Sequence, residues 1–166
     1  MEMTIDFSKA TAMEIENWNR CALTMVKKEN IFTFPEGLFG FKNIKEYIFI
    51  LNNKVRPFMF MHAMDGSDTC FICIEVFQIC PDYNIVLSNS CINLLELKKP
   101  TDALMLSLVT VANKMENTTA NLMSPLVINM ANKTGYQVIA DQEAFPVRYK
   151  IWDALEKMGA PVIKAM

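Results

Sequence analysis

Apolar and polar positions alternate along this chain in short runs, spaced roughly ten residues apart and separated by turn residues, which is the pattern of short, half-buried strands. The runs predict strands at Met13 to Trp18, Ala22 to Val26, Tyr47 to Leu51, Phe58 to Met64, Cys70 to Phe77, Asn84 to Ser88, Ala103 to Val111, Ala120 to Asn129 and Gln137 to Ala140. So many strands with so little helix between them favour an all-β barrel or sandwich over helix–strand alternation. No fixed-period repeat accompanies the pattern.

Two stretches change to helical spacing. Ser88 or Ser90 can cap a short helix through Cys91, Ile92, Leu94 and Leu95, stopped at Lys98-Lys99-Pro100. Ile151, Trp152, Leu155 and Met158 repeat at helical intervals before Gly159 and Pro161. Residues 151–166 are therefore a C-terminal helical tail, expected to pack Trp152 on the barrel, with a lid or docking arm as the alternative. Asn132-Lys133-Thr134-Gly135 between two apolar runs predicts a tight hairpin, with Gly135 supplying a positive φ. Residues 1–12 show no such pattern and read as an N-terminal extension, either a flexible leader or an extra strand.

Composition narrows the functional classes. The chain has 166 residues, 52% of them hydrophobic, enough for one core-bearing domain without disulfide or metal staples. Sixteen basic and 18 acidic side chains give a net charge of −2, which argues against direct nucleic-acid binding. The longest stretch without a charged residue, Asn117 to Asn132, is too short and too polar to span a bilayer. No export signal is visible, and five cysteines read as reduced thiols in a cytoplasmic protein. The Asn117 and Asn132 sequons are then incidental.

Most candidate chemistry fails on its own spacing. His62 is the sole imidazole, set among Met59, Phe60, Met61, Ala63 and Met64, without the partners that catalysis by histidine requires. Cys70 and Cys73 form a CxxC, with Cys80 and Cys91 following, so a four-thiolate zinc site has to be weighed. In a strand, residues three apart face opposite ways, which favours inert thiols and no metal or cofactor. Gly37-Leu38-Phe39-Gly40 lacks the basic residue of a phosphate cradle and reads as a turn with two buried side chains. The 13 methionines read as core filling, with an adaptable binding surface as the alternative. One charge pattern stands apart. Pro57 to Leu97 contains no Lys or Arg but holds Asp65, Asp68, Glu75, Asp82 and Glu96, a candidate acidic face.

Several blocks carry a family resemblance. They are Asn30 to Phe41 (NIFTFPEGLFGF), Pro57 to Met61, Phe77 to Tyr83 (FQICPDY), Thr119 to Asn129 (TANLMSPLVIN) with Gly135 and Gln137 to Ile139 after it, and Phe145 to Arg148. From Met13 to Lys150 the chain resembles the FliW family of bacterial flagellar assembly factors. The resemblance implies a small antiparallel β-barrel-like domain over residues 13–150, with short peripheral helices and no catalytic activity. It also implies two protein partners. FliW proteins hold flagellin in the cytoplasm, as a chaperone does, and when released bind the translational repressor CsrA and antagonise it allosterically, relieving repression of flagellin mRNA. Glu75-Val76 departs from the Asp-Pro or Asn-Pro pair more usual there.

Within the matched blocks, Asn121, Leu122, Pro125 and Asn129 are the candidate partner face, because an Asn-rich edge strand offers backbone and amide hydrogen bonds to an added chain. Phe34, Glu36 and Tyr83 are secondary candidates. Asp65, Asp68 and Asp82 are the acidic residues that would repel RNA phosphates beside CsrA. The competing reading is a small-molecule-binding β-barrel lined by methionines and aromatics.

Overall fold

The computed structural model describes residues 28–51, 55–140 and 143–159. The expected strands at Met13 to Trp18 and Ala22 to Val26, the N-terminal extension and the end of the C-terminal tail lie outside these residues. Nine strands form one sheet: β1 (Phe32–Thr33), β2 (Glu46–Leu51), β3 (Met59–Ala63), β4 (Cys70–Glu75), β5 (Ala103–Thr110), β6 (Thr119–Ala120), β7 (Leu126–Asn129), β8 (Thr134–Gln137) and β9 (Tyr149–Lys150). Among the described residues the α-helices are α1 (Val76–Ile79), α2 (Asn89–Leu95) and α3 (Trp152–Lys157), beside three single-turn 3-10 helices.

The sheet runs β4-β3-β2-β1-β8-β7-β5, and a further β4–β5 pairing closes these seven strands into a barrel. All neighbouring pairs are antiparallel except β1 and β8, which meet in parallel at Thr33 and Thr134, so the barrel is mixed rather than wholly antiparallel. Beyond the ring, β6 pairs with the end of β5, and β9 with β6.

Period-two alternation fills the barrel. Phe34, Tyr47, Met61, Cys73, Leu106, Leu126 and Ile128 point inward and belong to one buried cluster, each fully shielded from solvent. Gly135 faces the same interior. A Cβ at that position would collide with the Phe34 ring, so the residue is glycine because an aromatic ring occupies its side-chain space. The positive φ expected at Gly135 falls instead on Lys133, at 55°, the residue at the β7–β8 turn.

Two further clusters coat the barrel's outer wall. One packs Ile74, Val76, Ile79, Tyr83, Leu122, Ile151 and Leu155 between the β4–β5 wall, α1 and α3. Trp152 lies half-buried against it, so the helical tail, as far as it is described, is bound to the barrel by its own apolar side. The other joins Cys91 and Leu95 of α2 to Val127 and Val138. Helix α2 begins as expected: Ser88 Oγ accepts from the Cys91 amide at 3.2 Å. It ends earlier than its lysines suggested, at Leu95, with Glu96 in the left-handed region at φ 54°.

Four strand boundaries differ from the sequence expectation. Cys70 to Phe77 splits at Glu75, because Val76 and Ile79 bury a common helical face and the Cys80 amide closes the turn on the Val76 carbonyl at 2.9 Å. Val76 thus takes the first helical position, where proline is at home. Ala120 to Asn129 splits into β6 and β7. Between them Asn121 Oδ1 accepts from the amides of Met123 and Ser124, at 3.1 and 3.0 Å, and Pro125 has no N–H to give a ladder. The last barrel strand starts at Thr134 and ends at Gln137, so Gln137 to Ala140 is mostly an irregular continuation, tied by the Val138 amide to Pro125 O and the Ala140 amide to Met123 O. Asn84 to Ser88 is not a strand at all, since no neighbour pairs with it among the described residues.

Candidate functional site

The residues expected to meet a partner are mostly turned to internal work. Phe34 fills the barrel, its ring edge-on to Tyr47 at 5.5 Å. Leu122 is fully buried and Pro125 is buried beside it. Asn121 closes the β6–β7 crossing, and its carbonyl accepts from Ser107 Oγ at 2.7 Å. Asn129 donates from Nδ2 to Leu95 O at 2.9 Å and accepts at Oδ1 from the Ala131 amide at 3.0 Å, fastening α2 to the hairpin. Tyr83 donates its hydroxyl to Leu122 O at 2.7 Å, and burial pushes its pKa up. Of the seven, Glu36 alone is exposed, next to a loop that also exposes Phe39 and Phe41. The GxxG turn therefore buries Leu38 but not Phe39, contrary to the expectation of two buried side chains. Both of its glycines carry a positive φ.

The acidic residues divide into two groups. Asp65 and Asp68 are exposed in the β3–β4 loop, whereas Asp82 is exposed beyond α1, after the opposite end of β4. Six strand residues lie between, about 20 Å at the usual rise. In the first group Ser67 donates to Asp65 Oδ1 from its hydroxyl at 2.5 Å and its amide at 3.0 Å, holding that carboxyl below its ordinary pKa. Burial, and secondarily the Asp65 charge, pushes the Tyr47 hydroxyl up to about 12. That hydroxyl is buried and makes no hydrogen bond among the described residues.

His62 is buried in β3, opposite Ile48 and Cys70, with Nδ1 2.8 Å from the Ala63 carbonyl. Cys73 faces the barrel interior and burial pushes its thiol up, while Cys70 lies on the other face of β4. No group of three or more His, Cys, Asp or Glu residues among those described is placed to hold a metal ion. Nor is any described helix long and apolar enough to cross a membrane.

Sequence reasoning missed a surface groove. A groove of about 550 Å³ lies outside the barrel, between the extended segment at 84–87 and the chain from Leu97 to Met105. Its floor is apolar, formed by Ile85, Leu87, Ile92, Leu97 and Met105, and its charged wall is Lys98 and Lys99. The run NIVLS carried the signal as a strand without an assigned neighbour, and the two lysines were visible only as a helix stop.

Closed mixed barrel, filled interior and surface groove together define a small β-barrel whose open features lie on its outside. A profile described as FliW protein matches residues 17–151. Among curated relatives, the flagellar assembly factor FliW of Caldicellulosiruptor bescii is 31% identical over 130 residues, covering 78% of this chain and 85% of that protein. The factor of the same name from Carboxydothermus hydrogenoformans is 36% identical over 124 residues, covering 75% and 80%. A crystal structure of the flagellar assembly factor FliW superposes with a TM-score of 0.71 at 27% identity, covering 76% of this chain and 88% of that one. The chain belongs to the FliW family of flagellar assembly factors.

Proposed function

We propose that this protein is a noncatalytic cytoplasmic regulator that binds flagellin and, when free of it, binds a CsrA-type RNA-binding repressor and antagonises it allosterically, releasing flagellin mRNA. Family membership over most of the chain, on a matching barrel, is the observation that carries the reading. Its logic is linkage: occupancy by flagellin lowers the protein available to the repressor. A ligand-carrying barrel is less well supported, because bulky side chains occupy the interior and the groove lies outside it.

The test is a titration of the purified chain into a CsrA–flagellin mRNA complex, followed by flagellin. Release of RNA on the first addition and its recapture on the second are expected. RNA retained at saturating protein, with no binding of either partner by calorimetry, would overturn the reading. A partner-contact role for Glu36 and an RNA-repelling role for Asp65, Asp68 and Asp82 belong to the same proposal. Changing each acidic group to lysine, with salt varied, separates a repulsive field from direct contact, since a field weakens as salt rises.

A further inference from the structure

The segment at 84–87 has the sequence of a strand and an extended path, yet no backbone N–H or C=O of Asn84, Ile85, Val86 or Leu87 is hydrogen-bonded among the described residues. Ile85 and Leu87 anchor it by packing against the clusters beneath. Val86, between them, is 97% exposed. Anchored side chains, free backbone groups and an adjacent apolar groove are the requirements for adding a strand from another chain.

The groove also specifies charge. Lys98 and Lys99 are the charged residues that line it. Their backbone amides both donate to Asp102 Oδ2 at 3.0 Å, which fixes the turn that presents them and engages that carboxylate oxygen. Glu96, next along the chain, is within 3.4 Å of Asn132 Nδ2. An acceptor group of negative charge is what this wall lacks and would attract.

We infer that the groove between residues 84–87 and Lys98-Lys99 is a docking site for an extended peptide of a partner protein, added as a strand to 84–87 with apolar residues at alternate positions and a carboxylate against the two lysines. The inference rests on the reading of this chain as a protein-binding module, but not on which protein it binds.

The probe is a fluorescent hexapeptide of alternating threonine and valine ending in a free aspartate, titrated against the full chain, with backbone amide shifts recorded by NMR. Shifts centred on 84–87 are expected, and the charge reversal K98E/K99E is expected to weaken binding about tenfold. Methylating the peptide's valine amides in one probe and its threonine amides in another provides the decisive control. Only alternate amides of an added strand face its neighbour, so one pattern should abolish binding and the other should not. Equal affinity for both patterns would overturn the inference, as would no binding at millimolar peptide. So would slow exchange of the 85–87 amides in the free chain, which would mean that another part of this chain or a second copy already sits there. If the peptide fails while flagellin and the repressor still bind, the groove inference falls alone. If all three fail, the proposed function falls with it.

Discussion

Two runs of this chain, Leu126–Asn129 and the segment at 84–87, share a composition and have opposite fates. LVIN becomes β7, fully buried along its length and laddered on both edges, to β5 and to β8. The NIVL of 84–87 stays extended but unladdered, with one side chain almost wholly in solvent. The reason is closure. In the finished ring β4 pairs with β3 and with β5, a strand that follows 84–87 in the chain, so both edges of β4 are taken and the intervening strand-forming run has no edge left to enter. A hydrophobic pattern reports the conformation a run prefers; pairing depends on what edges remain.

That contrast can be broken at several points. Removing the ring that fills the barrel, by Phe34→Ala, is expected to cost about 3–5 kcal/mol in urea unfolding, the scale of a large cavity in a core that cannot collapse. Gly135→Ala inserts a methyl where that ring sits and should cost about 3 kcal/mol, the upper end for overpacking. Combined with Phe34→Leu it should cost less than the two single changes together, and strict additivity would show that the ring is not what excludes the methyl. Asn129→Ala leaves the Leu95 carbonyl and the Ala131 amide without that partner and should cost about 2 kcal/mol, read as a lowered Tm. On the other side of the comparison, Val86→Thr should shift stability by less than about 0.5 kcal/mol. A loss as large as that of Asn129→Ala would make 84–87 part of the wall and erase the distinction.

The barrel's walls were legible because their apolar runs are nearly continuous and of strand length: Tyr47 to Leu51 and Ala103 to Val111 reach their observed strands within a residue or so. Gly135 was legible as a special residue but for the wrong physical reason, since a ring 101 positions away in the chain, at Phe34, is invisible to local turn rules. The candidate site was read less well. An asparagine amide suits a partner's backbone and a turn in its own chain equally, and only the fold shows that Asn121 and Asn129 are spent on the second. The groove was missed because its two sides, Asn84 to Leu87 and Lys98-Lys99, mean nothing apart. A helix between them brings them face to face.

The parallel contact of β1 with β8 governs when this protein can exist during its synthesis. A ribosome must deliver the chain past Thr134 before Thr33 finds its neighbour, and the Phe39 amide waits across 98 residues for Gln137. Such distant closure is slow to form and all-or-none in its reward. Fragments ending before β8 should therefore leave β1 without its second edge, so any partner that reads the closed barrel reads a chain synthesised at least through Gln137.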